Sequence, residues 1–244
     1  MADPDPFRHH PELRGQIKPA SGSFFRDLDL EAVDAKAAAA GRPSGWRTPC
    51  EVRESGRRDW FDGRWDRDVW VFGYGSLMWD PSIEFAEVRR GRTKAYSRSF
   101  CIWDMGARGS PDRPGLMLAI DAGTGCEGLA FRIEAAKLEH ETFVLFRREM
   151  ITSTYRPIWL TLETALGPIE ALSFAADRGH ERIVPDIPTA EQARMIAKAE
   201  GLLGSNFDYL ADTRAHLSLL GVEDSYITDL YRRAAELRAV IDPL

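Results

Sequence analysis

The chain of 244 residues has little cysteine, no long apolar run and no surplus of positive charge, and each shortage narrows what it does. Its three cysteines, Cys50, Cys101 and Cys126, are odd in number and widely spaced, with no Cys-x-x-Cys pair. Neither a disulfide framework nor a zinc site follows from such spacing, and free thiols suit a reducing cytosol, so a cytoplasmic location is expected. No apolar stretch approaches the roughly 20 residues of a membrane helix, and the opening Met-Ala-Asp-Pro-Asp-Pro has neither a basic nor an apolar leader segment. No membrane is expected as a partner. With 32 Lys and Arg against 38 Asp and Glu, the net charge of −6 argues against a nucleic-acid footprint. Arg89, Arg90 and Arg92 read only as a solvated strand edge. The adjacent His9 and His10 have no third partner at ligand spacing and read as exposed tail residues, not metal ligands.

What is present is ample core: 44% of residues are hydrophobic and 29% charged, enough for one large domain or two small ones. Residues 1–68 are rich in Pro, Gly, Arg and Asp and read as an irregular arm with one helix, Leu30–Ala40, ended by Gly41. Phe24, Phe25, Trp46, Trp60 and Trp65 are too many aromatic residues for a free tail, and are expected to pack the arm onto the main domain. Residues 69–244 form that main domain. Strand signals occur at Val69–Phe72, Ala95–Trp103, Leu116–Asp121, Glu127–Ile133, Ile158–Leu162 and Pro168–Phe174, separated by turns short enough to favour antiparallel pairing. The last third is helical: Thr189 and Gln192 make a capping box before Ala190–Glu200, a second helix runs from about Asn206 to Leu220, and a third follows Asp224. The expected class is α+β.

The most specific segment is Trp-Val-Phe-Gly-Tyr-Gly-Ser-Leu-Met-Trp-Asp-Pro at 70–81, a strand running into a glycine-bracketed turn. Successive amides of Gly73, Tyr74, Gly75, Ser76 and Leu77 make a small anion-binding concavity suited to a carboxylate. The third glycine of a dinucleotide fingerprint would fall at Met78, and no Gly-Lys-Ser/Thr follows, so phosphate cofactors are disfavoured. Ser76 lies outside a Gly-x-Ser-x-Gly elbow and no histidine is marked as its base, which makes a serine nucleophile the weaker use of the loop.

A second signal is a carboxylate on the wrong face. Residues Ala135–Met150 have helical periodicity, with Leu138, Thr142, Leu145, Phe146 and Met150 on one apolar arc. Glu149 falls inside that arc and Glu139 near it, while Lys137, His140, Glu141, Arg147 and Arg148 occupy the remaining circumference. Burial disfavours an ionised carboxylate and raises its pKa toward the range useful for proton transfer. Glu149 is therefore either a general acid/base or a strut salt-bridged to an arginine.

Four motifs in order, Val-Phe-Gly-Tyr-Gly-Ser-Leu-Met-Trp at 71–79, Arg113-Pro114-Gly115, Arg148-Glu149-Met150 and Gly-Ser-Asn-Phe-Asp-Tyr-Leu at 204–210, together with Leu217, Gly221 and Asp224, resemble the ChaC-like glutathione-specific γ-glutamylcyclotransferases. The resemblance runs from about Trp70 to near the C-terminus and leaves the arm unexplained. It implies a γ-glutamylcyclotransferase-like mixed, barrel-like sheet flanked by helices, with Glu149 as catalytic base. Val71, Phe72, Gly73, Tyr74, Gly75, Ser76, Leu77 and Tyr209 would then bind substrate, and no metal or organic cofactor would be required. Tyr209 otherwise packs a helix, and Tyr74 otherwise packs under the loop. Glutathione is the expected small-molecule partner. The alternatives are other γ-glutamyl amino acids or amines as substrates, or a catalytically silent γ-glutamyl-binding module.

Overall fold

Strand β1 (Val69–Gly73) is buried along nearly its whole length, as its run of Val, Trp, Val and Phe demands, and the sheet is built outward from it. A computed structural model describes residues 5–39 and 41–241; residues 1–4, 40 and 242–244, including the expected helix end at Ala40, lie outside the described residues. On one side β1 pairs antiparallel with β5 (Cys126–Ile133), Val71 facing Phe131, and β5 pairs antiparallel with β2 (Glu87–Thr93). On the other it runs parallel to β7 (Ile169–Ala176), Trp70 facing Ala171. Strand β6 (Tyr155–Leu162) returns antiparallel along β7, and reciprocal backbone bonds between Arg92 and Glu163, at 3.0 and 2.9 Å, tie its end to β2. The ring β2–β5–β1–β7–β6 is thereby closed into a small barrel. The hairpin of β3 (Tyr96–Asp104) and β4 (Gly115–Ala122) extends it, joined to β7 where Ile120 faces Ala175.

The class and the mixed, barrel-like sheet match expectation, but two of the β7 pairings are parallel. Short connections favour antiparallel neighbours only between strands consecutive in the chain; β1 and β7 are separated by almost one hundred residues and choose their direction by barrel closure. Strand β2, absent from the expected strands, is real. Arg89 and Arg90 on it are half-buried: Arg89 lies over the Trp70 ring at 4.6 Å and bonds Glu87, and Arg90 donates to the Leu220 carbonyl. The N-terminal stretch lies against the same strand. The Val88 amide bonds the Pro6 carbonyl at 3.0 Å, and the Arg90 amide bonds His10 Nε2 at 3.2 Å, so His10 is not a tail residue.

Phe72, Phe100, Phe131, Phe146 and Phe174 fill the core. Helix α3 (Leu138–Glu149) packs Leu138, Leu145 and Phe146 into it, and α4 (Thr189–Lys198), α5 (Asn206–Leu219) and α6 (Ser225–Ile241) cover the β3–β4 side. Helix α4 starts without a capping box. The Gln192 side chain is drawn inward, its Oε1 accepting from the Tyr226 hydroxyl at 2.9 Å and its amide reaching the Phe100 carbonyl at 3.4 Å, because a buried amide needs partners more than an exposed helix end does. Helix α5 does carry a side-chain cap, Ser205 Oγ accepting from the Asp208 amide at 3.0 Å. A short β8 (Glu200–Gly201) and β9 (Gly204–Ser205) hairpin joins α4 to α5.

The segment before β1 contains two helices, α1 (Leu30–Ala39) and α2 (Cys50–Trp60), where the composition suggested one. In α2 the buried Arg57 donates to Thr142 Oγ1 and Glu139 Oε1, each at 2.8 Å, so its charge is matched on α3. Trp60 stacks on Trp159, Phe61 packs against Phe146, and Trp46 bonds Asp34 within the segment, whereas Phe24 is largely exposed. Two outward positions of the α3 wheel are also overturned. Glu141 and Arg148 are buried, because Arg26 pairs with Glu141 and Phe25 covers Arg148.

Candidate active site

Strand β1 ends at Gly73, and the chain turns at once through Tyr74 and Gly75 into a single 3-10 turn, Ser76–Met78. A Cβ at Gly73 would stand 3.0 Å from Leu77 Cβ and 3.1 Å from the Leu77 carbonyl carbon, so the turn closes this tightly because no side chain stands there. Gly75 instead faces β4, where an added Cβ would meet Leu118 Cδ2 at 3.2 Å. The Met78 and Asp80 amides bond back to Gly75 and Ser76, at 2.8 and 2.9 Å, whereas the amides of Gly75, Ser76 and Leu77 bond to no described residue. Neighbouring unpaired N–H groups in a largely buried loop are an unused set of donors for an anion. Val71 and Phe72 precede the loop inside the ladder, and the Ser173 hydroxyl bonds the Phe72 carbonyl at 3.0 Å.

Glu149 ends α3, and its side chain is 14% exposed, enough to be reached and little enough to be desolvated. Burial pushes its carboxyl above the ordinary glutamate value, against the opposing pull of Arg148, whose Nε lies 2.9 Å from Glu149 Oε1. The same guanidinium donates through Nη2 to Ser76 Oγ at 2.8 Å and through Nη1 to the Asp80 carbonyl. Arg148 therefore joins the glutamate to the glycine loop. Its outer face is covered by the Phe25 ring, 4.0 Å away.

Three buried tyrosines lie within the electrostatic reach of Glu149. Burial raises the Tyr74, Tyr155 and Tyr209 phenols, that of Tyr209 to about 12, and the Glu149 charge adds to the rise in each. Tyr74 donates to the Phe174 carbonyl and Tyr155 to the Leu118 carbonyl, both at 2.7 Å. The Leu118 amide opposes the rise at Tyr209. Leu118 is thus a common neighbour of Gly75, Tyr155 and Tyr209. Strand β4 is held in place by Asn206, whose side chain bonds both the amide and the carbonyl of Leu116, at 2.7 and 2.8 Å. A Cβ on Gly115 would come within 2.9 Å of Asn206 Oδ1, which explains a glycine after Arg113-Pro114. The motifs at 113–115 and 204–210 meet here.

Glu149, Tyr74, Ser76 and Tyr209 of the expected site are thus brought together around Arg148 and Leu118. Sequence reasoning missed Tyr155 and the part played by Arg148. The signal for Arg148 was its place beside Glu149; Tyr155 had only the general rule that a buried tyrosine finds a partner for its hydroxyl.

The sequence model of the ChaC-like proteins matches residues 69–237. The glutathione-specific γ-glutamylcyclotransferase of Escherichia coli is 38% identical over 172 residues, covering 70% of this chain and 74% of that one. Gamma-glutamylcyclotransferase 2-3 of Arabidopsis thaliana is 31% identical over 173 residues, covering 66% and 86%. A crystal structure of the yeast γ-glutamyl cyclotransferase specific to glutathione superposes with a TM-score of 0.62 at 18% identity, covering 70% of this chain and 99% of that one, so the fold is shared. By the match over residues 69–237 and the identity to its members, the chain belongs to the ChaC-like protein family.

Proposed function

We propose that this protein is a glutathione-specific γ-glutamylcyclotransferase, a lyase that releases 5-oxoproline and Cys-Gly from glutathione. The relatives named for that activity support it, and the observation that carries it to particular residues is the Arg148 bridge between a buried carboxylate and a loop of unpaired amides. The γ-glutamyl α-amine is a protonated ammonium until a base takes its proton. Glu149, ionised and with a raised pKa, is that base. The freed nitrogen attacks its own γ-carbonyl carbon, the five-membered ring closes, and the C–N bond to cysteine breaks as Glu149 returns the proton to the departing amine. Ring closure is intramolecular, so its entropy cost is small once the chain is folded into a near-attack shape.

The amides of Gly73, Tyr74, Gly75, Ser76 and Leu77 hold the substrate α-carboxylate, and Tyr209 borders the pocket. Val71 and Phe72 fix the loop's origin. Release of 5-oxoproline from glutathione by the wild type, lost in Glu149→Gln with a chelator present throughout, tests the proposal. Turnover of γ-glutamyl-alanine equal to that of glutathione would move the substrate to γ-glutamyl amino acids in general; absence of 5-oxoproline from both would overturn the chemistry.

A further inference from the structure

Cys50 takes no part in that chemistry, lies outside the segment matched by the family, and has unusual surroundings. It is the first residue of α2, directly after Pro49, and is exposed. Two guanidinium groups face its sulfur, Arg53 Nη2 at 3.4 Å and Arg47 Nη1 at 3.6 Å. Arg47 is already neutralised, its Nη2 lying 2.6 Å from Asp34 Oδ2. Arg53 is not. It is 4% exposed, its Nε and Nη1 have no hydrogen-bond partner, and among the described residues no carboxylate pairs with it. Its side chain bonds the Cys50 sulfur alone.

A second cation lies close by. Burial and then the Arg53 charge lower the proton affinity of Arg147 against the opposing charge of Asp27; its Nη2 bonds the Arg26 carbonyl while its Nε is buried and unbonded. A buried cation without a counter-ion is costly, and among the described residues the group bonded to Arg53 that can supply negative charge is Cys50 as a thiolate. Partial burial works to raise the Cys50 thiol, but bonds from Arg47 and Arg53 outweigh it and hold the thiol below its ordinary value; the helix start adds in the same sense.

We propose that Cys50 is a nucleophilic modification site that forms a mixed disulfide with anionic low-molecular-weight disulfides. The Cys50 thiolate attacks one sulfur of the incoming disulfide, a new S–S bond forms as the old one breaks, and the electron pair leaves on the departing thiolate, which takes a proton from water. The incoming disulfide is reduced as Cys50 is oxidised, so no other oxidant is needed. The choice of an anionic partner follows from charge. Attack consumes the thiolate that neutralised Arg53, and an adduct bearing carboxylates restores negative charge to this arginine cluster, whereas a cationic adduct adds to the repulsion.

The test uses the reduced full-length chain, glutathione disulfide as the anionic probe and cystamine as the cationic one, followed by intact-mass measurement and peptide mapping at low salt. One glutathionyl group on Cys50, absent in Cys50→Ser and formed several-fold faster than the cystamine adduct, is expected. Cys101 and Cys126, buried and raised to about 11, serve as internal controls. The pH midpoint of iodoacetamide alkylation at Cys50 should lie below the roughly 8.5 of a free cysteine, and Arg53→Met should move it up by about one unit while Arg53→Lys leaves it low. A wild-type midpoint at or above that of free cysteine, an adduct that survives Cys50→Ser, or cystamine reacting as fast as glutathione disulfide would overturn the proposal. The wild-type readouts suffice should Arg53→Met fail to fold, and none of them depends on whether the chain turns over glutathione.

Discussion

Arg148 Nε lies 2.9 Å from Glu149 Oε1, so two consecutive residues at the end of one helix form an ion pair in which the carboxylate still has a raised pKa. Desolvation therefore outweighs the cation. Removing that cation gives the first prediction. In Arg148→Met the Glu149 pKa rises further, by about 1 unit or more, since an adjacent opposite charge shifts a carboxylate by about 1–3 units. The acidic limb of kcat/KM against pH, expected in the wild type above the ordinary glutamate value, should move up by that amount. An unmoved limb would assign it to another group.

The same raised pKa has a stability consequence whose sign differs from that of a normal salt-bridged carboxylate. The folded state holds the Glu149 proton more tightly than the unfolded state does, so folding stability falls as pH rises from the ordinary glutamate value of 4.5 through the folded pKa. Glu149→Gln removes this dependence. The midpoint temperature of the wild type relative to Glu149→Gln should improve as pH is lowered from neutral toward 4.5, as read by calorimetry across that range. A difference constant with pH would contradict the burial of the charge.

Gly73→Ala tests the loop. The new Cβ would stand 3.2 Å from the Met78 amide nitrogen as well as against Leu77, so the backbone that carries the unpaired amides must shift by a few tenths of an ångström. Displacement on this scale disturbs near-attack geometry, and kcat/KM should fall, by less than the roughly 10²-fold that a misplacement of about 1 Å costs, with the fold retained by circular dichroism. Full activity would show that the amides of this turn do not position the reacting atoms.

Tyr74→Phe separates packing from chemistry. The ring stays, but the Phe174 carbonyl loses a 2.7 Å hydrogen bond in a buried place, at a cost of about 1–3 kcal/mol in urea unfolding. A phenol pushed well above its ordinary value is a poor proton acceptor at neutral pH, so kcat should fall less than tenfold. A larger loss would give Tyr74 a direct role.

The helices and most strands were legible because their signals are local. Glu149 is the clearest case: helical period alone places it among Leu138, Thr142, Leu145 and Phe146, and the structure puts it there with its charge desolvated. The same wheel misplaced Glu141 and Arg148, because what buries them, Arg26 and Phe25, is more than one hundred residues away in the chain. Period reports one helix's preference and cannot name the cover. Thr189 and Gln192 failed for a related reason, a local cap losing to the distant Tyr226. Strand β2 was hidden by Arg89 and Arg90, whose long apolar stems are buried while their charges find partners on Glu87 and Leu220. Direction of pairing between β1 and β7 is set by how a ring of strands closes, which no short window contains.

The pairing of Arg26 with Glu141 sets where this protein can be cut. Glu141 is 2% exposed and accepts both Arg26 guanidinium nitrogens, at 2.8 and 2.9 Å, together with the Glu84 amide. Arg26 also bonds the Ser82 carbonyl, just past the glycine turn. A chain trimmed to the 69–237 segment shared with its relatives would keep every recognisable motif, yet lose Arg26 and Phe25, the residues that pair with Glu141 and cover Arg148, and so open the back of the helix that carries Glu149. The limit of resemblance is therefore not the limit of the cooperative unit. Tolerance of N-terminal truncation elsewhere in the family would not transfer to this member, and proteolytic removal of the stretch that carries Pro6, His10, Phe25 and Arg26 should lower the melting temperature.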